Sequence, residues 1–414
     1  MAVFMLFVIG AMAALAIDVV SLYAAQGEAQ LAADGAALAG ARVLANSGVT
    51  SESSGALMPS AQILASTVAT QVAQQNQIGG NQANVLAPTF GGSDGNPTIT
   101  VSVQNTLPTF FARIWGKTQI TVGATATAEA YNPSLAPGTS VGSTTTPVAP
   151  VCVKPWLLPN ISPTAAGGQI FSPTTGAIVD TTLLGWTSSA ATPVTPMSLV
   201  CPAGNCTPLP FPTQPWQYYP GDPNTTFPPP TTSLAACSVI PTLSDYQKSI
   251  VGCIQVPISC NSTANIDVSS YPNRNTETAD AVNCLTNCTN NFGDTVTTTN
   301  PPNAIFQFYA GQDNPEVLAN PALSGQPIMV SDSLVTVPVF DTGTFNPAGT
   351  NFQIIGFVQL FLNPNGFQSL DYGPTDGNIN TTVINLAGCG ANATGTPIVL
   401  GNGASPVAVR LISQ

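Results

Sequence analysis

The chain opens with an apolar run that is unusually long for a soluble protein. No charged side chain occurs before Asp18, and apolar residues resume directly after it. As a helix, the residues before Asp18 would span about 26 Å, slightly less than the hydrocarbon core of a bilayer. With the apolar positions that follow, a helix from Ala2 to Ala25 is long enough to cross a membrane with Asp18 near one end. The pattern favours a retained membrane anchor.

Two alternatives remain open for this segment. Ala14-Leu15-Ala16 has the small-x-small form of a signal-peptidase site. The basic residues of a signal peptide are missing, however, and the helical pattern continues past the site. The other alternative is a core helix of a soluble protein, which the hydrophobicity of the run disfavours.

The helical pattern continues well beyond the apolar run. Residues 24–41 are dominated by Ala and Gly, and no helix-terminating signal occurs before Asn46-Ser47-Gly48. The sequence therefore predicts one helix over residues 1–45, about 68 Å long. Small residues let helices approach closely, so the Ala-rich part is expected to pack on the next helix of its own domain, on neighbouring subunits, or on both.

Residues 46–131 are predicted to form a small α/β module. Helical periodicity predicts a helix over residues 60–77. Strict alternation of apolar and polar residues predicts strands over 98–103 and 119–131. Between them, residues 107–115 are predicted to form a short amphipathic helix.

A linker rich in Pro, Gly, Ser and Thr is predicted over residues 132–149, followed by a β-rich domain over residues 150–414. Helical periodicity in this domain is confined to residues 243–251 and 278–287. Residues 354–362 are nearly all apolar, so this strand is expected to be central and covered on both faces. The other predicted strands are 328–330, 334–340, 381–386, 397–400 and 407–412.

Charged side chains are scarce along the whole chain. It has 19 Asp and Glu against 7 Lys and Arg, no His, and a net charge of −12. Phosphate binding needs clustered cations, so nucleic acid is not an expected partner; Arg113 and Lys117 form only a small basic patch. Without His, the usual catalytic triads and metallohydrolase sites cannot form, and no nucleotide-binding loop occurs. We expect no enzymatic activity, no cofactor and no metal.

Carboxylates are the remaining candidates for chemistry. A pair could in principle serve glycoside hydrolysis, although nothing in their spacing favours this use. Asp376 begins a sequence similar to a calcium loop, but the twelfth position is Ala387 rather than Glu, so a turn is the better interpretation. The candidate carboxylates are Asp267, Asp280, Asp341, Asp371 and Asp376.

Three aromatic residues, Trp216, Tyr218 and Tyr219, lie among prolines in the second domain. They could form a platform for a sugar or a protein partner. They could equally fill the space beneath a long loop, and this second interpretation is favoured.

All nine cysteines lie after residue 150. Zinc sites usually combine Cys-x-x-Cys pairs or His ligands, and neither occurs here. The cysteines therefore favour disulfides, and hence an oxidising compartment, with one cysteine left over from the pairs. The disulfide candidates are Cys152, Cys201, Cys206, Cys237, Cys253, Cys260, Cys284, Cys288 and Cys389.

The N-terminal pattern resembles a known family. It has an Asp in Ala-Ile-Asp-Val, a Tyr five residues later, and then Leu-x-Ala-Asp-x-Ala-Ala-Leu-Ala-Gly-Ala. In this pattern, and in the Phe-Phe…Gly…Val…Ala-x-Ala-x-Ala element that follows Pro108, residues 1–131 resemble TadG-like (TadE/TadG-like) proteins of Flp, or tight-adherence, pilus systems. The resemblance implies a membrane or assembly helix that contains Asp18, Tyr23, Leu31, Asp34, Leu38 and Gly40.

The chain also departs from this family. The basic residues that usually precede the apolar run are absent, and Met5 stands where a mature type IV pilin carries Glu. Asp332-Ser333-Leu334 does not complete the metal-binding loop of the von Willebrand A domain found in some TadG-like proteins. That metal-dependent mechanism is therefore not carried over.

Together, residues and resemblance predict an α+β protein: a long, pilin-like hydrophobic N-terminal helix with a small α/β module, followed by a β-rich, disulfide-bearing ectodomain. The expected function is that of a structural or assembly component of a Flp-type pilus or surface filament. The alternative is a membrane-anchored adhesin that binds a surface glycan or protein. Expected partners are further copies or other pilin-like subunits through the N-terminal helix, and the inner membrane. The ectodomain is expected in the periplasm or outside the cell.

Overall fold

The computed structural model describes most of the chain. The described residues are 2–52, 54–93, 95–132, 134, 148–165, 167–188, 197–200, 210–223, 243–252, 258, 266–267, 274–286, 293–297, 306–312, 314–346, 352–366, 377–389, 399–400 and 405–413. An N-terminal apolar helix precedes a β-rich region, so the fold is a mixed α+β fold. The predicted linker and the candidates Asp371 and Asp376 lie wholly or largely outside the described residues.

The chain forms two compact units. Unit 1 contains Met1–Ala45, Met58–Tyr131 and Val409–Gln414. Unit 2 contains Asn46–Leu57 and Asn132–Ala408. The chain therefore passes between the units at four points, and its last strand returns to unit 1. The domain boundaries expected from the sequence stay a prediction.

The helices and strands have the following bounds. The described α-helices are α1 (Ala2–Asn46), α2 (Met58–Gln75), α3 (Asp245–Val251), α4 (Asn275–Leu285) and α5 (Pro315–Ala319). The described strands up to residue 131 are β1 (Gln77–Ile78), β2 (Asn81–Gln82), β3 (Asn84–Val85), β4 (Thr89–Ser93), β5 (Asn96–Pro108) and β6 (Gln119–Tyr131). The described strands after it are β7 (Val148–Ala149), β8 (Trp156–Pro159), β9 (Thr187–Ser188), β10 (Ser198–Leu199), β11 (Gln217–Pro220), β12 (Asp222–Pro223), β13 (Ile266–Asp267), β14 (Thr295–Thr297), β15 (Gln307–Tyr309), β16 (Pro327–Ile328), β17 (Leu334–Phe340), β18 (Ile354–Leu362), β19 (Thr381–Gly388), β20 (Val399–Leu400) and β21 (Ala408–Ser413).

In unit 1, a five-stranded sheet packs with α1 and α2. Strands β21, β6, β5 and β3 lie side by side in that order, and β4 also pairs with β5. The long β5–β6 hairpin is antiparallel from Thr98↔Glu129 to Pro108↔Gln119. Its alternation is the one expected for a sheet with a single covered face: Ile99 and Val101 are buried, whereas Thr100 and Thr127 join their hydroxyls across the outer face at 2.9 Å.

The last strand is fixed to unit 1 by side chains as well as by the sheet. The Arg410 guanidinium forms an ion pair with Glu129 on β6. Its carbon atom also lies 5.4 Å from the ring centroid of Tyr131, which is within the range of a cation–π contact. Unit 1 is therefore completed by residues from the far end of the chain.

Unit 2 is built on a seven-stranded sheet with the order β10-β11-β8-β17-β18-β19-β9. Every residue of β18 and β19 is buried, which confirms the expectation that residues 354–362 form a central strand. Aromatic side chains fill the space on this sheet; Phe340, for example, lies 5.4 Å from Tyr219 and 5.1 Å from Phe352, measured between ring centroids.

Residues 46–57 belong to unit 2 through polar contacts with β19. The Ser51 hydroxyl donates to the carbonyl oxygen of Leu386 at 2.9 Å and accepts from its N–H at 3.0 Å. The Asn132 side-chain amide donates to the carbonyl oxygens of Thr50 and Leu386. Buried polar groups are thus satisfied where the chain enters and leaves this unit.

The predicted helix over residues 107–115 is wrong. Strand β5 continues to Pro108, and only Ala112–Trp115 form a short 3-10 helix, which is followed by Gly116 in the left-handed conformation (φ 80°). Pairing with β6 extends the strand through Leu107 and Pro108, and this tertiary pairing overrides the local periodicity. Helix α5 was not predicted, although Asn314 caps it and Pro315 occupies its first turn.

Candidate functional site

Helix α1 has two halves with opposite surroundings. In the first half, residues 2–24, most of the large apolar side chains that the structure describes are exposed. In the second half, residues 25–46, most apolar side chains are buried, with Leu31 as an exception. We call these the exposed half and the buried half. The large exposed residues of the exposed half are Met5, Ile9, Met12, Leu15, Ile17, Val19, Val20 and Tyr23. The buried apolar residues of the buried half are Ala25, Ala29, Ala32, Ala33, Ala36, Ala37, Ala41, Val43, Leu44 and Ala45.

The buried half approaches α2 through small residues. A Cβ atom added at Gly40 would lie 3.3 Å from both the carbonyl oxygen of Ala65 and the Cβ of Ala69, and 2.5 Å from Cδ1 of Ile99. A side chain at this position would press on α2 and on Ile99, so glycine favours this close approach. The facing alanines of α2, including Ala65 and Ala69, are fully buried. The expectation that the Ala-rich segment packs on the next helix of its own domain is confirmed.

Asp18 lies near the boundary between the two halves, and its side chain is buried in unit 1. One carboxylate oxygen, Oδ1, accepts from the N–H of Phe110 at 2.8 Å. The other, Oδ2, accepts from the N–H groups of Phe111 at 2.9 Å and Ala112 at 2.6 Å. The residue is only 2% exposed. Three backbone donors on one carboxylate form charge-assisted hydrogen bonds, which are stronger than neutral ones.

The three donors belong to a loop that folds back on itself at the tip of the β5–β6 hairpin. We call residues 110–117 the tip loop. At its base, the N–H of Thr109 donates to the carbonyl oxygen of Thr118 at 3.1 Å. The Arg113 guanidinium donates to the carbonyl oxygen of Thr109 at 3.0 Å and 2.7 Å. Asp18 satisfies N–H groups at the start of the 3-10 helix that would otherwise have no partner.

Two further polar contacts fix α1 to unit 1. The Gln26 side-chain amide donates to the carbonyl oxygen of Gly123 in β6 at 2.7 Å. The Glu28 carboxylate accepts from the N–H of Gly79 at 2.7 Å. With Asp18, these contacts bind the helix to the module from residue 18 onward. The structure gives the exposed half before Asp18 no comparable contact among its described side chains.

The site residues expected from the resemblance do not form one cluster. Asp18 is buried, whereas Tyr23 is 76% exposed and Leu31 is 70% exposed. Asp34 accepts from the side-chain amide of Gln30, one turn away, at 2.7 Å. Leu38 is half-buried, and Gly40 meets α2 as described above. Their role in assembly stays a prediction.

Sequence reasoning did not identify the residues that bind Asp18. Their contribution comes from backbone N–H groups, which carry no side-chain signature, and they lie 92 to 94 residues away along the chain. The recurring Phe-Phe pair at 110–111 was noted only as part of the family resemblance. A signal was nevertheless present, because a carboxylate among apolar residues requires a partner.

The aromatic residues considered for a ligand platform are buried. Trp216 is 1% exposed, and its indole N–H donates to the Thr381 hydroxyl at 3.2 Å. The hydroxyls of Tyr218 and Tyr219 donate to the carbonyl oxygens of Gly377 and Pro210, each at 2.7 Å. These side chains fill the interior of unit 2, as the favoured interpretation expected.

The candidate carboxylates that the structure describes lie on separate elements. Asp267 lies in β13, and Asp280 lies in α4. Asp341 accepts from the N–H of Gly343 at 3.0 Å and caps a short 3-10 helix. Burial, and then repulsion by Glu277, raise the pKa of Asp280 above its ordinary value. Each of the three described carboxylates therefore belongs to a different element.

Comparisons with known proteins bear on α1. Among the described residues, one helix is long and apolar enough to cross a membrane by its length and composition, and it lies near the N-terminus. A search of curated proteins and a search of solved structures each found no match to the chain. Residues 1–43 match the model of the family described as putative Flp pilus-assembly TadE/G-like. The match covers α1, including Asp18 and most of the buried half, so this helix is similar to that family and is consistent with a TadG-like protein.

Proposed function

We propose that this protein is a non-enzymatic structural or assembly component of a Flp-type pilus, held in the inner membrane by the exposed half of α1. One observation carries the proposal. A helix segment bearing Met5, Ile9, Met12 and Val20 on its surface would expose a large apolar area to water, whereas a lipid environment or a bundle of similar helices would cover it.

The family match supports the pilus as the setting. The TadE/G-like match ends at residue 43, three residues before α1 ends. The same helix therefore contains the matched pattern, the apolar surface and Asp18. In the proposal, it anchors the protein before assembly and contacts other pilin-like subunits through outward-facing side chains such as Tyr23 and Leu31.

We further propose that unit 2 lies in the periplasm or outside the cell, with disulfides. All nine cysteines follow residue 150. Support comes from the described cysteines Cys152, Cys284 and Cys389, none of which is a free thiol. Mass mapping without reduction should find at least three bridges. Nine free thiols in protein isolated from the cell surface would contradict the oxidising compartment.

The alternative, an anchored adhesin, has less support. The aromatic residues that suggested a ligand platform, Trp216, Tyr218 and Tyr219, are buried in unit 2 and cannot present a stacking surface. The proposal therefore stays with the pilus.

A deletion strain tests the proposed function. We expect surface filaments to disappear when the gene is removed and to return when the wild-type gene is restored. The variant Met12→Lys should fail to restore them, because it places a cation in the apolar segment. The matched control is Ile63→Lys, at a position 71% exposed on α2, which should restore them. Normal filament numbers in the deletion strain would overturn the proposal.

Wild-type cells from the same experiment distinguish the two proposed roles, structural subunit and assembly component. Filaments sheared from wild-type cells can be analysed by mass spectrometry beside the membrane fraction. Stoichiometric recovery in the filaments identifies a structural subunit. Retention in the membrane with filaments free of the protein identifies an assembly component.

A further inference from the structure

The tip loop exposes an apolar surface that the fold does not use. Phe110 is 61% exposed, Ile114 is 72% exposed and Trp115 is 57% exposed. Three large apolar side chains on one short loop form a patch, and contiguous exposed patches mark interaction surfaces in folded proteins. The sequence FFARIWGK also contains Arg113 and Lys117, both exposed, in a chain with only 7 cations.

This patch has a defined position along α1. The N–H groups of Phe110, Phe111 and Ala112 bind the Asp18 carboxylate at 2.6 to 2.9 Å. From Ala2 to Asp18 the helix rises about 24 Å, close to the thickness of the hydrocarbon core. If the residues before Asp18 span the hydrocarbon core, Asp18 and the tip loop therefore lie at the level of the lipid headgroups.

The composition of the tip loop suits a position at the level of the lipid headgroups. Tryptophan is enriched at membrane–water interfaces because its ring is apolar and its N–H is polar. Arg and Lys beside apolar side chains attract anionic headgroups, by about 1 kcal/mol for each cation near the surface. The acidic protein as a whole would be repelled by such a surface, whereas Arg113 and Lys117, with the Asp18 carboxylate that the loop binds, leave a net positive charge at the tip loop.

We propose that the tip loop is a second membrane-contact element, which inserts Phe110, Ile114 and Trp115 into the headgroup region of an anionic bilayer beside Asp18, where α1 leaves the hydrocarbon. This inference rests on the anchor role of α1 in the proposed function. The loop is held rigidly by Asp18 and by the hydrogen bonds at its base, so it fixes the depth and tilt of unit 1 at the membrane surface.

Depth-dependent fluorescence quenching tests this placement in the full-length chain. The protein is inserted into vesicles of phosphatidylethanolamine and phosphatidylglycerol that carry a brominated acyl chain. Trp156 and Trp216 are buried in unit 2 and Trp186 is partly buried there, so the difference between the wild type and Trp115→Phe isolates the signal of Trp115. Quenching of Trp115 by bromine near the headgroup should exceed quenching by bromine near the terminal methyl at least about twofold, as expected for an interfacial side chain.

A matched pair of variants tests the contribution of the patch. Ile114→Asp should reduce the headgroup-level quenching of Trp115 at least about twofold, because a carboxylate opposes insertion next to anionic lipid. Ile63→Asp, at a residue equally exposed on α2, should leave it unchanged. Lys117→Gln should weaken the dependence of quenching on phosphatidylglycerol.

The outcomes distinguish failure of the inference from failure of the anchor. Resistance of the protein to carbonate extraction reports that α1 is inserted. Inserted protein whose Trp115 is not quenched overturns the inference alone. Trp115 that becomes shielded only as protein concentration rises assigns the patch to a second protein copy and also overturns it. Protein that carbonate extracts contradicts the anchor proposal itself.

Discussion

The two halves of α1 share one continuous helix and one apolar character, yet their side chains have opposite environments. The buried half packs mainly through alanines, whereas the exposed half presents Met, Ile, Leu and Val outward. In a soluble protein the larger apolar side chains would be the ones removed from water. The comparison therefore indicates that side-chain size, rather than hydrophobicity, separates the part that packs within the protein from the part that we propose meets lipid or other subunits.

The largest effect is expected at Asp18, a buried residue within the exposed half. Asp18→Leu removes the acceptor of three backbone N–H groups and should destabilise unit 1 by about 4 kcal/mol. Urea unfolding and hydrogen exchange at Phe110, Phe111 and Ala112 measure this loss. Glu28→Leu removes the acceptor of one N–H, from Gly79, and should cost much less. Equal effects of the two substitutions would show that the Asp18 contacts do not hold the tip loop.

A cation in the exposed half should change membrane insertion without changing folding. Met12→Lys is expected to disfavour insertion by about 3 kcal/mol, the cost of lysine near the centre of a membrane helix. Insertion into lipid vesicles and the urea unfolding of unit 1 are measured on the same protein. Leu31→Lys, at a residue equally exposed in the buried half, should leave insertion intact. If Leu31→Lys lowers insertion as much as Met12→Lys, the halves have been divided at the wrong place.

A large side chain in the buried half should change folding without changing membrane insertion. Gly40→Leu would collide with Ala65, Ala69 and Ile99 and should destabilise unit 1 by about 2 kcal/mol through overpacking. Nothing lies within 4 Å of a Cβ atom added at Gly27, so Gly27→Leu provides the matched control. Unfolding curves of the two variants should differ clearly, and identical curves would contradict the close packing of α1 on α2.

The smallest expected effect is a gain in stability. Gly27→Ala should stabilise α1 by about 0.5 to 1 kcal/mol, because alanine restricts the unfolded chain and meets no neighbour in the folded one. The melting temperature of unit 1 should rise slightly. Gly40→Ala should lower it, because its Cβ atom would lie 2.5 Å from Cδ1 of Ile99. A rise for both variants would mean that Ile99 relaxes without cost.

The sequence predicted those parts of the fold that depend on local patterns. Helix α1 runs from Ala2 to Asn46, as the uninterrupted helical pattern indicated, and β18 is buried on both faces, as its apolar run indicated. Both signals lie within the element itself. The sheet order of unit 2 depends on pairings between distant segments, such as β8 with β17, which periodicity does not encode.

Of the candidate site, only Asp18 could be predicted from the sequence, because its partners lie in a distant segment of the chain. A carboxylate in an apolar run indicates that it has a polar partner, and this pattern identified Asp18. It does not identify the partner, because backbone N–H groups occur at nearly every residue. The wrong helix at 107–115 hid the partners further, since a regular helix from residue 107 would have used the N–H groups of Phe111 and Ala112 internally.

The return of β21 to unit 1 has a mechanical consequence. Helix α1 and the residues after Val409 belong to the same unit, and β21 lies beside β6 with Arg410 paired to Glu129. Tension applied between the anchor helix and β21 is therefore carried by the hydrogen bonds and side-chain contacts of unit 1. The segment from Asn132 to Ala408 lies outside this load path. Under traction, the protein would yield first at the β21–β6 pairing, while the long insertion between them remained unstretched.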